Sequence, residues 1–205
     1  MAQKKGKKKH HSNVGQVRII GGDWRGRKLS VLQSEGLRPT SDRVRETLFN
    51  WLQFEIAGAT CLDVFAGSGT LGLEALSRGA KSTVFLELSV PVSKQLLSNL
   101  ETLKSTNAQV IQGDSLLWLE SRFESGGADK FDVVFVDPPF HQNLMQKTVD
   151  KLFASGVISN EVSNSSWLYL EQEKVLSWPT LPDGWRCYRE KVTSQVRFGL
   201  FKKSV

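Results

Sequence analysis

The stretch TCLDVFAGSGTLGLEALSRGA, residues 60–80, decides the fold. It reads as an apolar strand, a glycine-rich loop and a helix that Gly79 closes. Strands at 82–87, 108–112 and 131–137 repeat the pattern, each followed by a helical segment. Repeated strand–helix units predict a parallel sheet with helices on both faces and right-handed crossovers. The expected fold class is therefore α/β, with a Rossmann-like sheet.

The carboxy-terminal part departs from this alternation of strands and helices. SWLYLE (166–171) predicts one more strand. WRCYREKV (185–192) and QVRFGLF (195–201) alternate in polarity on either side of Thr193 and Ser194. These two segments predict an antiparallel pair.

Charge is unevenly distributed in this chain of 205 residues, whose net charge is +6. Residues 1–45 contain 12 lysines and arginines against three acids, whereas the remainder is slightly acidic. A basic amino-terminal portion suggests a polyanion bound at one end, and a solubilising surface is the alternative. The segment AQKKGKKKHHSN (2–13) is expected to be disordered. No long apolar run appears, and the two cysteines, Cys61 and Cys187, predict buried free thiols in a cytoplasmic protein.

The segment VRIIGGDWRGRKLSV (17–31) predicts a hairpin around Gly21 and Gly22. LRPTSDRVRETLFNWL (37–52) then begins with a breaker and predicts a helix whose N-cap is Ser41 or Asp42. Cations interleaved with a tryptophan suit phosphate contact and base stacking, although Trp24 could instead pack on the body. The residues expected to contact nucleic acid are Arg18, Trp24, Arg25, Arg27, Lys28, Arg38 and Arg43.

The loop GSGTLG (67–72) formally satisfies the dinucleotide fingerprint, with Glu87 twenty residues after Gly67. Asp63 lies within the first strand, where a buried acid requires a cation or a hydrogen-bond donor. It would repel a pyrophosphate but would accept the ammonium of a methionine moiety. The loop therefore favours an adenosine cofactor with an amino-acid group.

Acidic residues end the strands of this predicted sheet. Glu87 can accept from ribose hydroxyls and Asp114 from an adenine amine, and the carboxyl ends of parallel strands share one edge. Each acid also has a structural alternative: a satisfied strand residue at Asp63, a helix cap at Glu87 and an N-cap at Asp114. The combination predicts S-adenosylmethionine, bound by Asp63, Phe65, Ala66, Gly67, Ser68, Gly69, Glu87, Leu88, Asp114 and Ser115.

The fourth strand ends in DPPF, residues 137–140. A conjugated exocyclic amine is a poor nucleophile, and acceptors at the Asp137 carboxylate and the Pro138 carbonyl would raise its electron density. Pro138 and Pro139 stiffen the loop that carries these acceptors, and Phe140 can stack on the ring. A neutral thioether leaves, so no metal or general acid is expected, and Asp137 or water can take the proton. The catalytic set is therefore Asp137, Pro138, Pro139 and Phe140, and His141 is left outside it.

Four segments in this order resemble the bacterial RsmD family: RIIGGDWRGRKL, LRPTSDRVRETLFNWL, CLDVFAGSGTLGLEALSRGA and FVDPPF. The similarity runs from about Val17 to the chain end. It implies methylation of a guanine N2 in 16S ribosomal RNA from S-adenosylmethionine, on the small subunit or a late precursor. It also implies a seven-stranded sheet with a reversed last strand. Ribose binding would rest on Glu87 alone, because ELS (87–89) lacks the second acid often found there.

This resemblance and the residues together predict three parts: a tail (1–13), an RNA-contacting hairpin (14–36) and a methyltransferase domain (37–205) that acts as a monomer away from membranes. Three alternatives remain open. DPPF also suits DNA adenine-N6 methylation, the fold could serve a catalytically silent nucleic-acid-binding protein, and a dinucleotide oxidoreductase is the most distant.

Overall fold

The computed structural model describes residues 14–32, 40–124, 130–159, 161 and 166–204. Arg38 and the predicted tail lie outside these residues. The elements run, in chain order, β1 (Val14–Arg18), β2 (Lys28–Leu32), α1 (Asp42–Trp51), β3 (Thr60–Asp63), α2 (Thr70–Ser77), β4 (Ser82–Glu87), α3 (Val90–Leu103), β5 (Ala108–Gln112), α4 (Ser115–Glu124), β6 (Val133–Val136), α5 (Met145–Ser155), β7 (Trp167–Glu173), β8 (Trp185–Val192) and β9 (Val196–Lys203).

The main sheet has seven strands in the order β5-β4-β3-β6-β7-β9-β8. The first five are parallel, whereas β9 is antiparallel to both β7 and β8. This confirms the α/β prediction and the reversed last strand. The strand order changes direction between β3 and β6, which makes their carboxyl ends the switch point where such sheets bind ligands. Asp63 ends β3, and Asp137 directly follows β6.

Apolar side chains cover both faces of the sheet. On one face, Leu48 and Phe49 of α1 pack with Phe135, Tyr169 and other buried residues. On the same face, the β1–β2 hairpin and α3 enclose a third cluster, which includes Phe85. On the opposite face, α4 and α5 cover a second cluster. All four residues of β6 are buried, as a central parallel strand requires. The boundaries predicted for these elements agree with the structure to within about three residues at each end.

The hairpin differs from its prediction in one respect. β1 and β2 are antiparallel as expected, but residues 19–27 join them rather than a tight turn at Gly21 and Gly22. Gly22 has a φ of +72°, and a Cβ there would lie 1.7 Å from the Ser77 carbonyl oxygen. The glycines therefore allow the loop to lie directly on the end of α2, which a tight turn would not do.

A buried carboxylate holds the hairpin on the sheet. Glu74 of α2 is fully buried and accepts hydrogen bonds from the N–H groups of Ile20 at 2.9 Å and Gly21 at 2.8 Å. It also pairs with Arg78 at 2.7 Å and Arg45 at 3.6 Å. Arg45 is itself 2% exposed and pairs with Asp42 at 2.6 Å as well, so removing Glu74 would take away the buried one of its two carboxylate partners. This network fixes the hairpin and α1 relative to α2.

Helix α1 begins as the sequence predicted. Ser41 is its N-cap, and the Ser41 hydroxyl oxygen accepts a hydrogen bond from the Val44 N–H at 3.3 Å.

The prediction of two buried free thiols is half correct: Cys61 and Cys187 are both free, but Cys187 is exposed on β8. None of the described helices combines the length and apolar character needed to cross a membrane.

Candidate active site

A cavity of about 1190 Å³ opens at the carboxyl ends of the parallel strands. Asp63, Glu87, Asp114 and Asp137, the four acids predicted from successive strand ends, all line it. The start of α1 and the β8–β9 turn form the rest of its wall. The structure therefore brings together the residues predicted for cofactor and substrate in one continuous space.

The glycine loop places Asp63 against the start of α2. Asp63 is 2% exposed, and its Oδ2 accepts a hydrogen bond from the Gly72 N–H at 3.1 Å. Burial raises the pKa of Asp63 to about 7. The hydrogen bond from Gly72 lowers this pKa, and the nearby charge of Glu87 raises it further. A Cβ at Gly72 would lie 2.2 Å from the Phe85 ring. Gly72 thus serves the close packing of α2 on the sheet, and one backbone donor leaves Asp63 able to bind a cation.

Glu87 has two backbone partners. Its Oε2 accepts from the Gly67 N–H at 2.8 Å, and its Oε1 accepts from the Ser89 N–H at 2.6 Å. The N-cap residue of α3 is Ser89, so Glu87 holds the residue that begins the helix but is not itself the helix cap that its structural alternative expected. Each carboxylate oxygen retains a second lone pair, so Glu87 can still accept from ribose hydroxyls. The same bonds orient the glycine loop towards the end of β4.

Asp114 caps α4, as its structural alternative expected. Its Oδ1 accepts from the N–H groups of Leu116 at 2.7 Å and Leu117 at 3.2 Å. Within the described residues no donor reaches Oδ2, which leaves that oxygen available to an amine. Ser115 uses its hydroxyl to donate to the Val64 carbonyl at 2.6 Å, so its contribution is to hold α4 beside β3.

The other predicted cofactor residues form the cavity wall. Leu88 is 66% exposed although it is apolar, and Phe65 is half-buried. Gly69 has a φ of +76° at the start of α2. An exposed apolar side chain beside polar acceptors suits a flat ring that binds between them. The predicted residues that line the cavity here are Phe65, Ala66, Gly67, Ser68 and Leu88.

Asp137 lies at the switch point and receives one side-chain donor. The Thr40 hydroxyl donates to Asp137 Oδ2 at 3.1 Å. Burial raises the pKa of Asp137 well above its usual range, and the charge of Glu171 raises it further, while the Thr40 hydrogen bond lowers it. A carboxylate whose pKa is raised in a cavity is a candidate general base. Pro138, Pro139 and Phe140 line the same cavity.

Glu171 and Thr40 were missed by the sequence interpretation. Glu171 lies on β7 beside β6, is 4% exposed, and its Oε2 accepts from the Tyr169 hydroxyl at 2.7 Å. Both Glu171 and Thr40 line the cavity with Asp137. A signal was available for Glu171, because it ends the parallel strand SWLYLE as the other acids end theirs. No local pattern points to Thr40.

A hydrogen bond to Glu173 on β7 anchors the loop after Phe140. His141 has a φ of +64°, in the left-handed region that is strained for a non-glycine residue. Its backbone N–H donates to Glu173 Oε1 at 2.7 Å, which holds the turn in place. The His141 side chain is 88% exposed at the cavity mouth. Glu173 thereby fixes the position of the DPPF segment relative to β7.

The tip of the hairpin lies far from the cavity. The Trp24 N–H donates to Ser77 Oγ at 2.9 Å, and the Arg27 guanidinium donates to the Thr102 carbonyl at 2.9 Å. Ser77 and Thr102 lie at the carboxyl ends of α2 and α3. These helices run back to the amino ends of the parallel strands, which are the ends opposite the cavity. Trp24 is half-buried against the third cluster, as the packing alternative expected, and Arg25 is exposed.

The remaining residues predicted to bind nucleic acid divide into two groups. Arg43 lines the cavity. Arg18 pairs with Asp42 at 3.5 Å, and Lys28 is exposed at the beginning of β2. Only Arg43 among the described members of the predicted set lies at the cavity, and Arg38 is outside the described residues. Among the described residues no group of three His, Cys, Asp or Glu side chains is arranged to bind a metal ion.

Comparison with known proteins agrees with this geometry. Residues 17–202 match the family model described as "Conserved hypothetical protein 95". The chain is 48% identical over 197 residues to the Ribosomal RNA small subunit methyltransferase D of Escherichia coli strain K12, covering 96% of this chain and 95% of that protein. It is 50% identical over 190 residues to the Haemophilus influenzae protein of the same name, covering 92% and 94%.

Solved structures agree with the sequence comparison. The putative methyltransferase yhhF from Escherichia coli superposes with a TM-score of 0.81 at 45% identity, covering 93% of this chain and 99% of that one. The putative methylase HI0767 from Haemophilus influenzae gives 0.72 at 42% identity, covering 93% and 100%. The matches extend over nearly the whole chain, including the hairpin, the glycine loop and DPPF. The chain therefore belongs to the RsmD family, that of the small subunit ribosomal RNA methyltransferase D.

Proposed function

We propose that the protein transfers a methyl group from S-adenosylmethionine to the exocyclic N2 of a guanine in 16S ribosomal RNA, in the cytoplasm, on the small subunit or its late precursor. The observation that carries this proposal is the position of Asp137. It directly follows β6 and lines the same cavity as Asp63, Glu87 and Asp114. The substrate is taken from the family, whose relatives named above carry a small-subunit ribosomal RNA methyltransferase name.

The residues present fit the cofactor. Three acceptors at the ends of β3, β4 and β5 match the three donor groups of the cofactor: Asp63 the ammonium, Glu87 the ribose hydroxyls and Asp114 the adenine amine. The Gly67–Gly69 loop allows close approach to the backbone, and Leu88 offers an apolar surface to the adenine ring. When bound, the cofactor supplies an electrophilic methyl group on a sulfonium, which leaves as a neutral thioether.

The protein would activate the amine by accepting from it. Thr40 occupies Asp137 Oδ2, so Oδ1 is left for one amine N–H, and the Pro138 carbonyl takes the other. Phe140 stacks on the base, and the prolines hold both acceptors in place. With both N–H groups accepted, the nitrogen lone pair would be free to form the new N–C bond to the donated methyl group, whose bonding pair to sulfur would remain on the thioether. The surplus proton then passes from nitrogen to Asp137, whose raised pKa makes it a better base.

The target base must leave its helix or loop to reach this cavity. A base that reacts deep in a pocket is extruded from its stack, and backbone contacts to phosphates hold the flanking nucleotides. Arg43 at the mouth is in position to make such a contact. The exposed hairpin cations and the basic tail are proposed to meet more distant phosphates, since the hairpin tip lies at the opposite sheet edge.

The proposal is tested by mapping the product. Small subunits from a strain lacking this gene, free 16S RNA and duplex DNA are each incubated with the protein and labelled S-adenosylmethionine. We expect label at N2 of one guanine in the 16S RNA of the subunits. Label at adenine N6 in DNA would replace the proposal with the DNA enzyme. Cofactor binding without any transfer would favour a silent nucleic-acid-binding protein.

A further inference from the structure

We propose that the exposed face of β8 binds the RNA strand that flanks the target nucleotide, as a second RNA contact beside the cavity. This inference rests on the proposed function and deepens it. The hairpin was expected to bind the RNA, but its tip lies at the edge of the sheet opposite the cavity. The phosphates nearest the target base therefore require cations outside the hairpin tip, and β8 supplies them in addition to Arg43.

The register of β8 places its cations on one face. Arg186 pairs with Lys202, Arg189 with Leu200 and Lys191 with Phe198, and cross-strand partners project from the same face. This is the α1 side of the sheet, because Trp51 of α1 stacks on Phe198 at 5.4 Å. A bulge between Cys187 and Arg189 resets the alternation, so that Arg186, Arg189 and Lys191 share the face.

Two aromatic contacts confirm which face this is. The Lys202 ammonium lies 4.3 Å from the centroid of the Trp167 ring. The centroid of the Tyr188 ring lies 5.2 Å from the same Trp167 centroid. Arg189 lies 5.5 Å from the Tyr188 ring. Tyr188 is 59% exposed and therefore remains accessible to a base. Cations beside an exposed aromatic ring are typical of surfaces that bind single-stranded nucleic acid.

The cations of this face differ from most buried or half-buried cations elsewhere among the described residues, because they lack an ion-pair partner. In the part of the chain that the structure describes, Arg186, Arg189, Lys191 and Lys202 form no ion pair. The one acid of β8, Glu190, lies on the opposite face, where it accepts from Trp178 at 2.7 Å and pairs with Arg197 at 3.2 Å. Most buried or half-buried cations elsewhere are paired, as Arg45 and Arg78 are with Glu74.

Two acids of the described residues lie on or beside this face. The Glu55 carboxylate accepts the Trp167 Nε1–H at 3.0 Å beside the Lys202 ammonium. Glu171 is opposite Phe198 and lines the cavity with Lys191, but it is only 4% exposed. Even with both charges counted, three exposed cations and Lys202 outnumber them. The face is thus electropositive, which complements a phosphate backbone.

The row of cations leads to the cavity. β8 is antiparallel to β9, which is antiparallel to β7, so β8 ends at the same sheet edge as the parallel strands. Lys191 and the turn residues Thr193–Gln195 line the cavity with Asp137. Residues on one face of a strand repeat about every 7 Å. A strand leaving the cavity at Lys191 would thus meet Arg189 and Arg186 in turn.

The test uses a fluorescein-labelled single-stranded RNA of about 20 nucleotides. Its affinity is measured by anisotropy over a range of KCl concentrations for Arg186→Gln/Arg189→Gln and for the control Lys94→Gln/Lys147→Gln. The control removes the same charge from exposed lysines on α3 and α5. The slope of log K against log salt is negative, and each phosphate contact contributes about 0.7 to its magnitude. We therefore expect the magnitude to be about 1.4 smaller in the test variant, which lacks two contacts. The control should keep the wild-type slope.

A second variant separates stacking from charge. Tyr188→Leu should weaken RNA binding about tenfold at fixed salt while leaving the salt slope unchanged. Affinity for S-adenosylmethionine, measured in every variant, should equal that of the wild type and shows that the fold is intact.

Three results would contradict the inference. The first is an unchanged slope in Arg186→Gln/Arg189→Gln, and the second is an equal loss in the control. The third is lowered methylation of small subunits with unchanged affinity for free RNA, which would assign the face to a ribosomal protein. The two proposals can also fail separately. If Arg186→Gln/Arg189→Gln has the smaller salt slope but the wild-type protein transfers no methyl group to any substrate, the RNA-binding face is supported and the proposed function is rejected.

Discussion

The Thr40 hydroxyl donates a hydrogen bond of 3.1 Å to Asp137 Oδ2, across 97 residues of sequence. Thr40 immediately precedes the N-cap of α1, and Asp137 follows β6. This bond lowers the pKa of Asp137, whereas burial and the Glu171 charge raise it. It also occupies one carboxylate oxygen, which leaves the other for the amine of the proposed substrate. The start of α1 therefore takes part in positioning the proposed base, besides capping its own helix.

Thr40→Val tests this relationship. Without the donor, the pKa of Asp137 should rise, so the acid limb of the pH–rate profile should move to higher pH. We expect kcat at neutral pH to fall about tenfold, because a hydrogen bond to a charged group contributes roughly 1.5–3 kcal/mol. Thr102→Val, which removes an exposed hydroxyl near the end of α3, is the matched control. An unshifted profile with normal kcat would remove Thr40 from the site.

Glu171→Gln should move the same profile in the opposite direction. The Glu171 charge raises the pKa of Asp137, so a neutral amide of the same shape should lower it and shift the acid limb to lower pH. The side-chain carbonyl of the introduced amide can still accept from the Tyr169 hydroxyl, which keeps the packing. Initial rates measured across the pH range decide the outcome. A shift to higher pH, or none, would mean that Glu171 acts only through packing.

Cofactor binding should depend on pH through Asp63. Its pKa in the free protein is about 7, and the ammonium of the cofactor needs the ionised form. Affinity for S-adenosylmethionine should therefore fall about tenfold per pH unit below 7 and level off above it. Calorimetry should find this dependence in the wild type, and weaker, pH-independent binding in Asp63→Asn. Equal affinity in the two proteins at high pH would contradict the assignment.

The same raised pKa has a consequence for stability. Because the folded protein holds the Asp63 proton more tightly than the unfolded chain, this contribution is present at low pH and is lost as pH rises through about 7. Without cofactor, Asp63→Asn should consequently unfold at a higher denaturant concentration than the wild type above pH 7. The difference should shrink as the pH falls towards about 4, the ordinary range of an aspartate.

Glu74→Ala should destabilise the protein strongly. It removes one of the two carboxylate partners of the buried Arg45, the partner of Arg78, and the acceptor of two backbone N–H groups. The free energy of unfolding should therefore fall by about 3–5 kcal/mol. Hydrogen exchange should rise first in the β1–β2 hairpin. Glu101→Ala, at an exposed position on α3, should change stability by less than about 0.5 kcal/mol. A loss of similar size in both variants would refute the role of Glu74.

The sequence was sufficient for residues whose position in the site follows from strand order. Asp63, Glu87, Asp114 and Asp137 end successive strands, and parallel strands end at one edge, so their convergence could be predicted from the sequence. The rule was applied to four strands and not to the fifth, and Glu171 was missed for that reason alone.

Other relationships depend on contacts between distant segments. Thr40 meets Asp137 only because α1 packs across β6, and no local pattern of polarity records that contact. The hairpin was recognised, but its orientation was not, since Glu74 and Ser77 on α2 decide it. The cations of β8 were overlooked because an alternating strand with a bulge does not reveal which residues share a face.

The most direct test of the account is methyl transfer by Asp137→Ala to small subunits from a strain lacking the gene. Label incorporated into 16S RNA is measured together with calorimetric affinity for S-adenosylmethionine. The account predicts that transfer to guanine N2 is abolished, while cofactor affinity stays within a few-fold of the wild type. Full transfer by Asp137→Ala would contradict the assignment of DPPF as the catalytic segment.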